Sequence, residues 1–185
     1  MGKPGDLILD VPYYSQRASH TDEGYRMCFS ACCAMCAEFL KPGCIKGNYV
    51  LKEDNYLENY VHKFGDSTNA SAQVQALASL GFKPKYSQNG NFLLLDQQLK
   101  LGKPVPIGIL HHGHVSAPSG GGHWCTVIGY EKDKQNYIVN DPYGDLDLIN
   151  GGHANVSGSH LRYSKENLSK RWMVDGPGSG WCILF

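Results

Sequence analysis

The chain has 185 residues, enough for one core to bury roughly 70% of the unfolded surface. Folding therefore needs no disulfide or metal staple, and one domain over residues 1–185 is the expectation. With 42% hydrophobic and 18% charged residues the chain is not intrinsically disordered. Lys plus Arg (17) equals Asp plus Glu (17), which leaves no basic footprint for nucleic acid and no polybasic patch for a membrane.

The first twenty residues lack the apolar core of a signal peptide, and no stretch approaches a membrane span, so a cytoplasmic protein is expected. Residues 7–14 predict a short strand, followed by a polar loop to Arg26. The run CFSACCAMCAEFL, from Cys28 to Leu40, is small or apolar on nearly every side. Such a helix is a buried one, and Lys41-Pro42-Gly43 stops it. Further helices are predicted over 53–64, 70–80 and 92–101. The second half changes character: 105–110 reads as a buried strand, and 123–131 and 137–140 as a hairpin around the polar segment 132–136. A short helix over 164–170 and a strand over 181–185 close the chain. Helices first and an antiparallel sheet afterwards define an α+β fold. The glycines at 120–122 lack the helix and lysine that a phosphate loop requires.

Seven cysteines, Cys28, Cys32, Cys33, Cys36, Cys44, Cys125 and Cys182, form a poor disulfide framework and predict reduced thiols in a reducing compartment. Cys28 stands apart, because it opens a helix whose N–H groups and dipole stabilise a thiolate. A thiolate there with a nearby imidazole makes a nucleophile. Cys32 and Cys33, about a turn deeper, are the alternatives; the default for a buried cysteine is a small hydrophobe. His123 opens a strand after three glycines that permit close substrate approach. Its acid depends on hairpin register. If Gly129 pairs with Tyr137, Asp141 falls opposite Cys125, on the face of His123 and within diagonal side-chain reach. If Glu131 pairs with Tyr137, Asp145 falls opposite His123 instead. Pro142 cannot donate to a ladder, which disfavours pairing as far as residue 145. A metal centre is not expected: Cys28, Cys32 and Cys36 follow helical spacing, but no paired CxxC or HExxH motif appears. The cluster His111, His112 and His114 reads as a solvated loop.

The segments Asp10-Val11-Pro12-Tyr13-Tyr14-Ser15-Gln16, the helix-opening Cys28, His123-Trp124 through Gly129-Tyr130, and Tyr137-Ile138-Val139-Asn140-Asp141-Pro142 together resemble the papain-like cysteine peptidases. More narrowly they resemble the C39-like peptidase family, over roughly residues 8 to 145. The resemblance implies a papain-like fold, with the nucleophile helix buried against an antiparallel sheet. It also implies a thiol hydrolase without cofactor or metal, in which Cys28 is the nucleophile, His123 the base, Asp141 the orienting acid and Gln16 the oxyanion donor. Phe29 departs from the glycine usual after the nucleophile. It implies a narrowed cleft or, in the competing reading, a catalytically silent binding module. A compact neutral chain of this kind suits an endolysin-like peptidase or amidase, held in the cytoplasm until lysis and cutting peptidoglycan stem peptides. Leader peptides, trimmed by transporter-fused relatives, are the alternative substrate. Neither nucleic acid nor integral membrane association is expected.

Overall fold

Nine of the thirteen residues of α1 (Cys28–Leu40) are buried, the all-round burial that its apolar sequence predicts. Past its end the Glu38 carboxylate accepts the backbone N–H groups of Gly43 and Ile45 at 2.8 Å each, turning the chain away. The computed structural model, which describes residues 2–185, places α2 (Lys52–Asn59) and α3 (Ala70–Ser79) beside α1 on one face of a sheet. Helices α4 (Phe92–Lys100) and α5 (Lys165–Trp172) cover the other face.

The sheet runs β2 (Lys85–Gly90), β9 (Gly180–Leu184), β3 (Val105–Ile109), β4 (His123–Tyr130), β5 (Asn136–Asn140) and β8 (Leu161–Ser164), with β1 (Leu7–Ile8) also on β4. Every pairing is antiparallel. A separate ribbon joins β6 (Asp145–Leu146) to β7 (His153–Ala154). Trp124, Ile128 and Ile138 face the α1–α3 core, whereas Ile107, Val127 and Val139 pack with Phe92, Leu95, Leu168 and Trp172. Cover on both sides buries all eight residues of β4 and explains why HWCTVIGY does not alternate. The α+β expectation therefore holds.

Three expectations change. The strand expected over 7–14 is paired only at Leu7 and Ile8. From Val11 on, the segment bonds instead to the end of β5, and Pro12 has no N–H to continue a ladder. The helix expected over 53–64 gives way at Tyr60 (φ −125°) to a 3-10 turn at Val61–Lys63. Strands β2 and β8 were not foreseen, since both are short, largely polar edge strands.

The hairpin carries a register change. At its turn end Tyr130 pairs with Tyr137 and Gly129 with Ile138; after a bulge at Ile128, Val127 pairs with Val139 and Thr126 with Asn140. A one-residue bulge shifts which side chains share a face. Continuing the inner register sets Asp141 opposite Cys125, whereas the outer register would set it opposite Thr126.

Candidate active site

Helices α3, α4 and α5 are capped by the side chains of Asn69, Asn91 and Ser164. Helix α1 starts after Met27, which offers no cap, so no capping side chain claims the N–H groups beside Cys28. Cys28 is partly exposed and lines a cleft of ≈ 410 Å³ together with Gln16, Phe29, His123, Trp124 and Tyr143. Burial pushes up the thiols of Cys32, Cys33, Cys36, Cys44, Cys125 and Cys182. The helix interior thus holds inert thiols, and of the α1 cysteines only Cys28 lines the cleft.

His123 donates Nε2–H to Asp141 Oδ1 at 2.7 Å, which leaves Nδ1 for Cys28. Burial disfavours the charged ring, but the charge and hydrogen bond of Asp141, and then those of Cys28, outweigh it and raise the His123 pKa to about 10. Burial likewise opposes ionisation of Asp141, yet the charge and hydrogen bonds of His123 and His153 hold it well below the usual carboxylate range. This carboxylate is fully buried and well supplied with donors. Oδ1 also accepts the Tyr143 N–H at 3.0 Å, and Oδ2 accepts His153 Nε2–H at 3.1 Å and the Tyr163 hydroxyl at 2.9 Å. Asp145, the rival acid, is exposed on β6.

The N-terminal segment acts as a strap on this acid. Tyr13 donates its hydroxyl to the Asp141 carbonyl and accepts the Gly158 N–H, each at 3.0 Å. Asn140 donates to the Val11 carbonyl at 3.2 Å, and the Gln16 N–H bonds Pro142 O at 2.9 Å. The Val11 to Gln16 and Asn140-Asp141-Pro142 segments are therefore two halves of one contact. Gln16, 2% exposed, donates one Nε2 hydrogen to Gly24 O at 2.9 Å. Its second hydrogen has no partner among the described residues. Phe29 lies flat on Trp124, with ring centroids 3.6 Å apart and planes 3° apart, so its bulk builds the cleft wall and leaves Cys28 partly exposed.

The histidine loop is not simply solvated. His111 and His112 line the cleft, and the His111 ring lies 5.3 Å from that of His123. Burial, then the neighbouring histidine charges, push the His111 pKa down to about 4; His112 and His114 are exposed, and His114 bonds Ser116. His153 was missed altogether, because no pattern near it marks a site. The loops meet through Arg171, whose guanidinium donates to the carbonyls of Leu110, His112 and Gly113 on one side and of Leu148 and Ile149 on the other. They pass so closely that a Cβ on Gly151, at φ +83°, would lie within 2.7–2.9 Å of the His112–Gly113 backbone. Ligand atoms of His123, Asp141 and His153 lie within 4.8 Å of one another, close enough for a cation to bridge, but hydrogen bonds already join them.

At the cleft, then, a thiol at a helix start stands with an imidazole that is bonded to a buried acid. The chain belongs to the C39-like peptidase family, whose model, described as the Peptidase_C39 like family, matches residues 8–175. Among solved structures, one from Bacillus anthracis described as a C39-like peptidase aligns with 96% of this chain and 96% of its own, with a TM-score of 0.60 and 16% identity. At that identity the likeness speaks for the fold. No curated protein matches the chain.

Proposed function

We propose that the protein is a cysteine peptidase or amidase working through a thioester acyl-enzyme. The reading rests on one observation: Cys28 and His123 share a cleft, with His123 bonded to the buried Asp141. The elevated basicity of His123 favours transfer of the Cys28 proton to Nδ1. The sulfur then attacks an amide carbonyl, and the carbonyl electrons move onto oxygen. The first N–H groups of α1 and the uncommitted Nε2 hydrogen of Gln16 are the donors for that oxyanion. As the oxyanion collapses, the C–N bond breaks and His123 gives its proton to the leaving amine, leaving a thioester. Water, deprotonated by His123, attacks the thioester and releases the acid, which restores Cys28. Asp141 holds the ring orientation throughout and stabilises its charge.

As substrate we propose peptidoglycan stem peptides, in an endolysin-like role. Tyr25, Trp124, Tyr143 and Trp181 line the cleft, surfaces suited to apolar peptide and sugar-ring contact, and its Arg26 is paired with Asp66 at 2.8 and 3.0 Å. Seven free cysteines fit storage in a reducing cytoplasm, and among the described residues no helix is long and apolar enough to cross a membrane. Incubation with isolated peptidoglycan under reductant and EDTA, followed by mass spectrometry, tests this. New amino groups are expected from the native protein and none from Cys28→Ala. Reducing sugar ends would contradict the reading, and cleavage of double-glycine leader peptides alone would move the substrate to leader processing.

A further inference from the structure

Behind the cleft wall lies a second, smaller hollow of ≈ 50 Å³, bordered by Gly108, Leu110, Gly122, Trp124, Val174 and Trp181, with the side chains of Arg171 and Trp172 at its back. Gly122, Trp124 and Trp181 also line the cleft, so the two spaces share a wall directly beside His123. We propose that this hollow is a specificity subsite taking a small aliphatic side chain, of alanine to valine size, from the substrate; the proposal rests on the peptidase reading above.

Three features select that chemistry. An arginine in a pocket ordinarily favours a carboxylate, but here the Arg171 guanidinium is spent on five backbone carbonyls. It has five N–H donors in all, so none remains for an acidic side chain. Trp172 donates its only side-chain hydrogen to Trp181 O at 2.9 Å, so the second polar group at the back is also committed. What faces the hollow is therefore apolar, and burying a charged or amide side chain there would leave it without partners. Size sets the upper limit: at about 15 Å³ for each water-sized group, the space admits about three heavy atoms, the number in a valine side chain, and excludes an aromatic ring.

The shape is built into the backbone. A Cβ on Gly108 would stand 3.1 Å from the Trp124 ring and 3.4 Å from Trp181 Cβ, so glycine there lets the two tryptophans close on a narrow slot. Val174, 46% exposed, stands at the mouth and can be altered without opening the core.

A peptide library varied at each position around the cut, with kcat/KM read by mass spectrometry, tests the subsite. At one position alanine and valine are expected to exceed phenylalanine, lysine and aspartate by about tenfold or more, the discrimination an apolar pocket achieves. Val174→Ala should extend that preference to leucine and methionine, and Val174→Phe should shrink it towards alanine and glycine. Cleavage with no side-chain preference, with an aromatic or charged optimum at every position, or with a profile unmoved by both Val174 variants would overturn the subsite and leave the peptidase intact. If the folded, reduced protein cleaves no member, the peptidase reading falls and the subsite with it.

Discussion

Helix α1 and the loops across the cleft hold their side chains by different means. Helix α1 presents Cys28 through purely local rules: an apolar run, a stop at Lys41-Pro42-Gly43, and a first residue that emerges where burial ends. The facing side is assembled from pieces far apart in sequence. His123 comes from β4, Asp141 follows β5, His153 opens β7 after a loop pinned by Arg171, and Val11 to Gln16 straps the acid from the N-terminal end. A thiol needs only partial exposure to act, whereas an imidazole and its acid need a register and a tautomer. The helix can therefore tolerate repacking, while the far side depends on each strap.

Four tests would break or sharpen that contrast, the largest expected effect first. Cys28→Ala should abolish turnover, while Cys32→Ala and Cys33→Ala should retain it; loss in the deeper variants, with folding intact by circular dichroism, would move the nucleophile. Asp141→Ala should lower kcat/KM by about 10³–10⁴, as expected when an orienting acid is lost, yet leave some alkylation of Cys28. Asp145→Ala should stay within about twofold of the native rate, as surface changes do. The opposite ranking of the two aspartates would refute the bulged register.

Arg171→Met strikes the far side from a distance. It strands five part-buried carbonyls. A fully buried orphan costs about 1–3 kcal/mol, but His112, Gly113 and Ile149 are exposed and their carbonyls can turn to water, so a loss of about 3 kcal/mol is expected. For a chain this long that lowers the melting temperature by about 6–12 °C. A melting temperature within a degree of native would show that the loops hold themselves.

The smallest effect concerns pH. His123, raised in the fold to about 10, stabilises fully below its unfolded value of about 6.5 and loses that contribution as pH rises towards 10. Asp141, lowered in the fold, stabilises above its unfolded value of about 3.9 and loses its contribution on acidification. These are two views of one pair, so the native protein should melt at falling temperature from pH 6.5 to 10, and Asp141→Asn should flatten that slope. An unchanged slope would show that the pair does not set it.

The same contrast explains what the sequence could reveal. The bounds of α1 were legible because an apolar run with a stop is a local signal. A helix start, a strand start and a Pro-marked strand end drew attention to Cys28, His123 and Asp141, whereas Gln16 came from the family resemblance alone. The bulge at Ile128 was not, since it depends on how β5 settles along β4. His111 and His112 read as a solvated loop because the Arg171 clamp that turns them into the cleft lies about 60 residues away. Phe29, which suggested a blocked site, takes its meaning from Trp124, a stacking partner that no spacing in the chain predicts.

The most direct test of the central claim is to trap the acyl-enzyme. The reduced protein would be mixed with a peptide ester, quenched in acid within milliseconds, and mapped by mass spectrometry. An acyl adduct on the peptide bearing Cys28, absent in Cys28→Ala and in protein pretreated with iodoacetamide, is the result expected. An adduct on another cysteine, or ester hydrolysis at the native rate by Cys28→Ala, would contradict the account.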